Sequence, residues 1–394
     1  MTDAVMVTPV GTRRDLLEFI KFPWRVYAGN PHWVPPLLFE RRRFFSPRHN
    51  PFFAHAEVAY FIARRNGLAC GTIAAAIDRN YVGFHDEPVG SFGFLEVEED
   101  YEVAARLLDT ARDWLHARGM RVMRGPLNFS TNQEAGLLVE GFDTDPVVLT
   151  TYNPPYYRDF VERYGLVKAK DFYGYWLDAG PLPAGMAHAA ERVMQRAPVR
   201  IKRIDLRNLQ SEALRVREIY NRAWSHNWGF VPVTEEEIME IARGLKPIAD
   251  PDLTLFAELD GKLVGLSICL PDINRAIKPL NGRLLPWGWL RFLWAKRHIN
   301  FVRIFALGVL PEHHPVGIGA LLYQRIWSEG VRKGYVAGEM SWILEDNAPM
   351  NAAMQMMGGR VYKTWRIYDL PLGGQRSVAN AGGELEKGGN GGVR

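Results

Sequence analysis

Residues 303–327 read RIFALGVLPEHHPVGIGALLYQRIW. The apolar run from Val302 to Leu310 predicts a strand, and Pro311 ends it because proline cannot donate to a ladder. A loop leads to Gly317-Ile318-Gly319, where an amphipathic pattern begins that runs to Lys333 and stops at Gly334. Glycine just past a periodic stretch is the usual C-terminal signal of a helix. A strand, a glycine-bearing loop and a helix N-terminus together make an anion site. Unpaired backbone N–H groups and the helix dipole both favour negative charge there, and glycine lets a diphosphate approach the backbone closely. Gly-x-Gly by itself also fits a plain packing turn.

Outward from this stretch, the chain repeats itself. YFIARRNGLACGTIAAAI (60–77) and LFAELDGKLVGLSICL (255–270) each hold two apolar runs around a turn dipeptide, Asn66-Gly67 in one and Asp260-Gly261 in the other. Such dipeptides between apolar runs signal a type I′ hairpin. They lie 194 residues apart, and so do Asn153 and Asn347, each of which precedes a short helix-like stretch, a glycine and a last strand. One offset seen twice suggests a duplicated domain. The amphipathic stretch from Tyr101 to Arg118 ends at Gly119, which is 215 residues before Gly334. An insertion before the helix in the second half, and a compensating one after the helix in the first half, would account for the difference. Each unit then reads strand, one or two helices, hairpin, strand, helix, strand, helix, strand. The expected fold class is α/β in the α+β sense, with helices on a mostly antiparallel sheet. The expected units are 1–181 and 182–372. The glycine-rich tail 373–394 lacks aromatic residues and is expected to be disordered.

A chain of 394 residues suits two domains of ordinary size. It is 47% hydrophobic and 23% charged, with a net charge of +4, which does not call for nucleic acid as a partner. Cys70 and Cys269 stand far apart inside apolar runs and are expected to be buried thiols. No signal-peptide pattern opens the chain, and no apolar stretch reaches the roughly 18 residues of a spanning helix. A cytoplasmic protein is expected.

The order of elements, with VLPEHHPVGIG entering a helix, resembles the GNAT superfamily of acyl-CoA N-acyltransferases. Its usual run is Val-x-Pro-x-x-Arg/Gln-x-x-Gly-x-Gly/Ala, whose amides hold the CoA pyrophosphate. Val309, Pro311, Gly317 and Gly319 fit this run, and His314 stands at the Arg/Gln position. The resemblance implies acyl-CoA as co-substrate, held by Val309, His314, Val316, Gly317, Ile318, Gly319 and Ala320. It also implies a role for Asn347, which follows the strand SWILEDN. Where the family often has a tyrosine that protonates the leaving thiolate, this chain has Met354. The segments NPHWVPPLLFERRRFF, GPLNFSTNQEAGLLVEGFD, TYNPPYYRDF and NRAWSHNWGFVP are similar to the bacterial tandem GNAT family of YghO-like proteins and ceramide synthases. That implies two GNAT-like units, the second with the CoA turn. The first unit has FLEVEEDYEVAARLL at the equivalent place. It has no glycine, and Glu96, Glu98, Glu99 and Asp100 would repel phosphates. Its expected role is substrate binding or support.

The insertion in the second unit, NRAIKPLNGRLLPWGWLRFLWAKRHINFVR, has basic residues interleaved with Trp287, Trp289, Phe292 and Trp294, and no acidic residue occurs from Ile273 to Pro311. It fits an interfacial helix on an anionic membrane surface, which would make the protein peripheral on the inner membrane. It equally fits a mouth for a long acyl chain or amphiphilic amine, a packed hairpin or dimer contact, or a strip of aromatics on which single-stranded nucleic acid would stack.

Amide formation from a thioester needs a neutral amine, an oxyanion donor and a base. His226 in AWSHNWGF lies in the early helical region that faces substrate in GNAT proteins. Glu345 ends the strand before Asn347, and Glu134 in NFSTNQEAG could reach a shared cleft. His226 also fits a packed or hydrogen-bonded histidine, and Glu345 a strand-end or helix-cap residue. His313 and His314 lack a third ligand at suitable spacing, so no metal site is expected. The leading expectation is N-acylation of an amphiphilic, sphingoid-type amine. A soluble N-acetyltransferase acting on a small amine or protein, and a non-catalytic acyl-CoA-binding protein, are the alternatives.

Overall fold

The computed structural model describes residues 4–373. The expected disordered tail lies, apart from Gly373, outside the described residues.

The first unit runs β1 (Met6–Pro9), α1 (Arg13–Lys21), α2 (Pro23–Val26), α3 (Leu38–Phe44), β2 (Ala56–Arg65) and β3 (Leu68–Asp78). It continues with α4 (Arg79–His85), β4 (Val89–Val97), α5 (Tyr101–His116), β5 (Val122–Gly125), β6 (Leu127–Asn128), β7 (Glu134–Ala135) and β8 (Leu137–Glu140). It closes with α6 (Tyr156–Tyr164) and β9 (Val167–Asp178). The second unit runs α7 (Ala184–Arg196), β10 (Val199–Arg203), α8 (Leu209–Ala223), α9 (Glu235–Leu245), β11 (Leu255–Leu259) and β12 (Lys262–Pro271). Then come α10 (Asn274–Ile277), α11 (Gly288–Lys296), β13 (Phe301–Val309), α12 (Ile318–Arg332), β14 (Ala337–Leu344), α13 (Ala348–Met356) and β15 (Arg360–Pro371).

Local chemistry sets most of these elements. The two hairpins turn as expected, with φ of 53° and 80° at Asn66 and Gly67 and 51° and 76° at Asp260 and Gly261. Positive φ at both central residues is the type I′ signature. Helix α5 buries Val103, Ala104, Leu107, Leu108, Ala111 and Leu115 along one stripe, each larger side chain contributing about 1.5–3 kcal/mol. The unmatched spacing also resolves as expected. The second half holds α10 and α11 between β12 and β13, and the first half holds β6, β7 and β8 between β5 and α6. Cys70 and Cys269 are both buried free thiols.

Among the described residues, 13 strands join in one mixed sheet of order β1-β2-β3-β4-β5-β15-β9-β14-β13-β12-β11-β10, with β8 also on β15. Among the described strands, only β4–β5 and β13–β14 pair in parallel. The last strand of each unit leaves its own neighbours. β15 pairs with β5 of the first unit, β9 pairs with β14 of the second, and the two lie antiparallel at the centre. The cores follow the exchange. Tyr368 and Leu372, at the C-terminal end of the second unit, pack in the first unit's core, and Tyr175 and Leu177 of β9 pack under α7 and α12.

Candidate acyl-transfer site

The site begins where β13 and β14 part. They pair from Phe301↔Ala337 to Ile304↔Met340 and no further, while β12 follows β13 to Val309 across a bulge at Phe305. Beyond Ile304, therefore, β13 has one edge without a neighbouring strand. Such an edge can take up an extended amide chain as an added strand, or aim an N–H at a developing oxyanion. The neighbouring Gly308 is required by packing. A Cβ there would sit 2.3 Å from the indole of Trp224, which stacks on Tyr220.

The edge runs into the glycine turn. Gly317 has φ of 83° and is the N-cap of α12, with no side chain capping the helix. The first N–H groups of α12 therefore lack the acceptor that Ser, Thr or Asp would supply. A Cβ on Gly317 would come 3.3 Å from Val193, and one on Gly319 would meet nothing within 4 Å. Backbone geometry thus explains Gly317, whereas packing does not explain Gly319. His314 turns back on the strand, its Nε2 2.9 Å from the Val309 carbonyl oxygen. Val316 and Ala320 pack against the core under α12, Ile318 is buried, and Val309 closes the strand. Asn347 caps α13, accepting from Met350 N at 3.2 Å, and Met354 is wholly buried.

The first unit has the same parting of β4 and β5, but the chain fills it. Phe94 N–H donates to Asn128 Oδ1 at 2.7 Å and Val97 N–H to the Tyr157 hydroxyl at 2.7 Å. A Cβ on Gly93 would sit 2.0 Å from the Leu127 carbonyl oxygen. The N-terminus of α5 is taken by Asp100, which accepts from Glu102 N at 3.0 Å and pairs with Arg65 at 2.6 Å. Glu96 faces this filled gap, and burial pushes its carboxyl up to about 7 against the lowering effect of hydrogen bonds from Tyr157 and Tyr27.

Of the three catalytic candidates, two have other partners. Glu345 pairs with Lys168 at 2.6 Å and accepts from Asp171 N at 3.1 Å. Glu134 is gripped by Arg41 at 2.8 Å and by Asn128 at 2.8 Å. His226 is exposed and has no hydrogen bond among the described residues. It lies two residues past Trp224, the cover of Gly308. The loop before Glu134 docks on the segment after His226. Thr131 Oγ1 donates to Gly229 O at 2.7 Å and Asn132 Nδ2 to Val231 O at 3.0 Å. The two regions therefore meet at one seam between the units, while Glu345 sits on the β9 side.

Sequence reading missed the floor and one wall of this gap. Arg303 and Glu339 face each other in register, one pair before the strands part, and both are almost fully buried. Arg303 donates to the Ser341 hydroxyl at 3.1 Å and to Val148 O at 2.8 Å. Glu339 accepts from Ser341 and Tyr362. Burial pulls the Arg303 guanidinium down to about 10 and holds the Glu339 carboxyl above its usual range. Nearby, burial pushes Asp272 up to about 6 and pulls Lys363 down to about 8. Asp272 accepts from Val148 N at 2.9 Å and Lys363 donates to Thr144 O at 2.9 Å, which pins the first unit's 141–152 segment over these strands. Next to this floor stands an aromatic wall. Trp342 lies 6.1 Å from Phe172, Phe172 lies 6.2 Å from Trp228, and Arg303 sits over both Trp342 and Phe305. The Trp342 indole N–H is buried and has no partner among the described residues. A lone charged residue in an apolar strand was the one available signal for the floor.

Among the described residues, no group of three His, Cys, Asp or Glu side chains could hold a metal, and no helix is long and apolar enough to cross a membrane.

No family model matches the chain. A bacterial ceramide synthase of Caulobacter vibrioides is 38% identical over 380 residues, 93% of this chain and 97% of that protein. Protein YghO of Escherichia coli is 34% identical over 366 residues, 91% of this chain and 94% of that protein. Among solved structures, a tandem GNAT protein from the clavulanic acid biosynthesis pathway superposes with a TM-score of 0.56 at 15% identity, covering 94% of this chain and all of that one. The chain belongs to the family that includes the bacterial ceramide synthase and YghO, and its fold is that of tandem GNAT proteins.

Proposed function

We propose that the protein is an acyl-CoA-dependent N-acyltransferase whose co-substrate lies in the second unit, and that its acceptor is an amphiphilic, sphingoid-type amine. One observation carries the reading. The second gap combines an unpaired strand edge with an uncapped, glycine-headed helix, while the chain's own side chains fill the first gap. In this reading Gly317 to Ala320 face the CoA diphosphate, the β13 edge takes the pantetheine amides, and units 1–181 and 182–372 divide support from cofactor binding.

The residues around the gap suggest how transfer proceeds. A β13 N–H meets the oxygen that gains charge as the amine attacks the thioester. His226 takes the proton lost by the nitrogen, directly or through water, and the C–S bond then breaks to release CoA as the thiolate, which takes its proton from water. Glu345 and Glu134 act by position, holding strand and seam, since their ion pairs occupy them. The aromatic wall of Phe305, Trp342, Phe172 and Trp228 suits an alkyl chain, and the unpaired Trp342 N–H suits a polar group at its head. The name of the Caulobacter relative agrees with an acceptor of this class.

A non-catalytic acyl-CoA-binding protein is the second reading, favoured by buried Met354 at the thiolate-protonating position. A soluble acetyltransferase would instead prefer acetyl-CoA and a short amine. Calorimetry with CoA on the wild type and on Gly317→Glu tests the site. The proposal expects binding by the first and none by the second. Equal binding, or none by either, would place the cofactor elsewhere.

A further inference from the structure

Helix α11 turns its apolar face outward. None of its nine residues is buried. Leu284 and Phe292 pack down on Val34, Leu37, Ile277 and Leu280. The rest of the segment points away from the protein, with Leu285 80% exposed, Trp287 71% and Trp294 68%, and with Trp289, Leu290 and Leu293 also exposed. A surface helix ordinarily shows polar residues on that side. Single exposed apolar residues are common, but six within ten residues form a patch. The first unit extends it. Leu38 N–H donates to Gly282 O at 3.0 Å and Trp24 Nε1 to Asn281 Oδ1 at 2.8 Å, which sets exposed Phe39 beside the insertion.

The charge on the insertion has one sign. No acidic residue occurs from Ile273 to Pro311. Arg283, Arg291 and Arg297 are exposed and enter no ion pair among the described residues. Other exposed arginines are mixed, since Arg43 pairs with Glu240 and Arg118 with Glu57, while Arg48 and Arg106 enter no ion pair among the described residues. Lys278 is drawn inward to Asp145, and Lys296 to the Pro247 carbonyl. The three unpaired arginines thus flank the tryptophans and leucines with no partner of their own.

We propose that α11, the turn before it and Phe39 form a docking face for an anionic lipid bilayer. The tryptophans and leucines enter the boundary between headgroups and acyl chains, and Arg283, Arg291 and Arg297 meet lipid phosphates. A second copy of the chain fits worse, because packing the insertion on itself would bring arginines together, and the insertion holds no carboxylate to offset them. The helix is too short to span, so the contact is peripheral. α11 leads within a few residues into β13, so a docked protein holds its open strand edge near the membrane surface. What the face delivers, a long-chain acceptor, rests on the acyltransferase reading; the face itself does not.

Co-sedimentation of the full chain with phosphatidylglycerol-containing vesicles, and with pure phosphatidylcholine vesicles, tests the proposal. The wild type should sediment with the anionic vesicles and far less with the neutral ones. Arg283→Glu/Arg291→Glu/Arg297→Glu should weaken binding by roughly 100-fold, the compounded effect of three basic residues at a surface. Trp287→Ala/Trp294→Ala should weaken it without removing the preference for anionic lipid. Melting temperature and CoA affinity, measured on each variant, should match the wild type and so exclude misfolding. A wild type that stays in the supernatant, or a triple variant that binds unchanged, overturns the proposal. So does a lipid-free dimer that the tryptophan double variant disperses. Vesicle binding by a protein that fails to bind CoA would sink the acyltransferase reading and leave the docking face standing.

Discussion

Gly317 and Gly319 sit two residues apart and are glycine for different reasons. Gly317 holds a left-handed turn, whereas Gly319 lies in ordinary helix with open space where a side chain would go. An aspartate at Gly319 should therefore have effects of opposite sign. Near a helix N-terminus a carboxylate stabilises the fold by about 0.3–1 kcal/mol. The same charge should repel a diphosphate and lower CoA affinity tenfold or more, about 1.4 kcal/mol. Thermal melting and calorimetry on Gly319→Asp check both, and unchanged CoA binding would return the turn to a packing role. At this scale the sequence was legible where a residue acts through its own backbone. The glycine turn and the carboxylates of the first unit both read directly. It was opaque where partners come from afar. Nothing local to Glu345 announces Lys168, and nothing near Gly308 announces Trp224.

Strands β13 and β14 hold the gap open from below. Their last two paired rungs include Arg303 and Glu339, which are charged, buried and shared with Ser341, Tyr362 and the Val148 carbonyl. Removing one member strands the other, which typically costs about 3–5 kcal/mol. Arg303→Met should lose that much in urea unfolding, and Arg303→Met/Glu339→Leu should regain part of it because no lone charge remains. A single variant of wild-type stability would show that the pair is not a structural floor. Elements of this kind were half legible. Hairpins and helices carry their turn and cap residues with them, and these were read. Pairing between distant strands depends on which apolar faces meet, and the chain carries no local mark of it.

The exchange of β9 and β15 shows the same limit across the whole molecule. Either strand, read alone, fits beside its own unit or the other. Only the assembled sheet shows that each half is completed by the end of its twin. The halves are also tied by His55 of the first unit, which lies between Asp78 at 2.9 Å and Glu237 of α9 at 3.1 Å. Burial alone would lower its pKa, but the hydrogen bonds and charges of Asp78 and Glu237 outweigh that and raise it from 6.5 to about 9. A histidine that binds its proton more tightly when folded contributes stability that is fully present below its unfolded pKa. That contribution is lost as pH rises through the folded value. The wild type should thus exceed His55→Gln most below pH 6.5, and the difference should shrink by on the order of 2 kcal/mol by about pH 9. Thermal melts of both proteins across that range check it. A constant difference would mean that His55 stays neutral at the seam.

The most direct measurement concerns the transfer itself. The purified full chain is mixed with a long-chain acyl-CoA and a sphingoid-type amine, and free thiol and N-acyl amine are followed together by thiol trapping and mass spectrometry. The account predicts one amide formed for each thiol released, a preference for the long-chain donor over acetyl-CoA, and loss of both signals in Gly317→Glu. Thiol release without amide, amide formation that survives Gly317→Glu unchanged, or CoA binding with no turnover would contradict it.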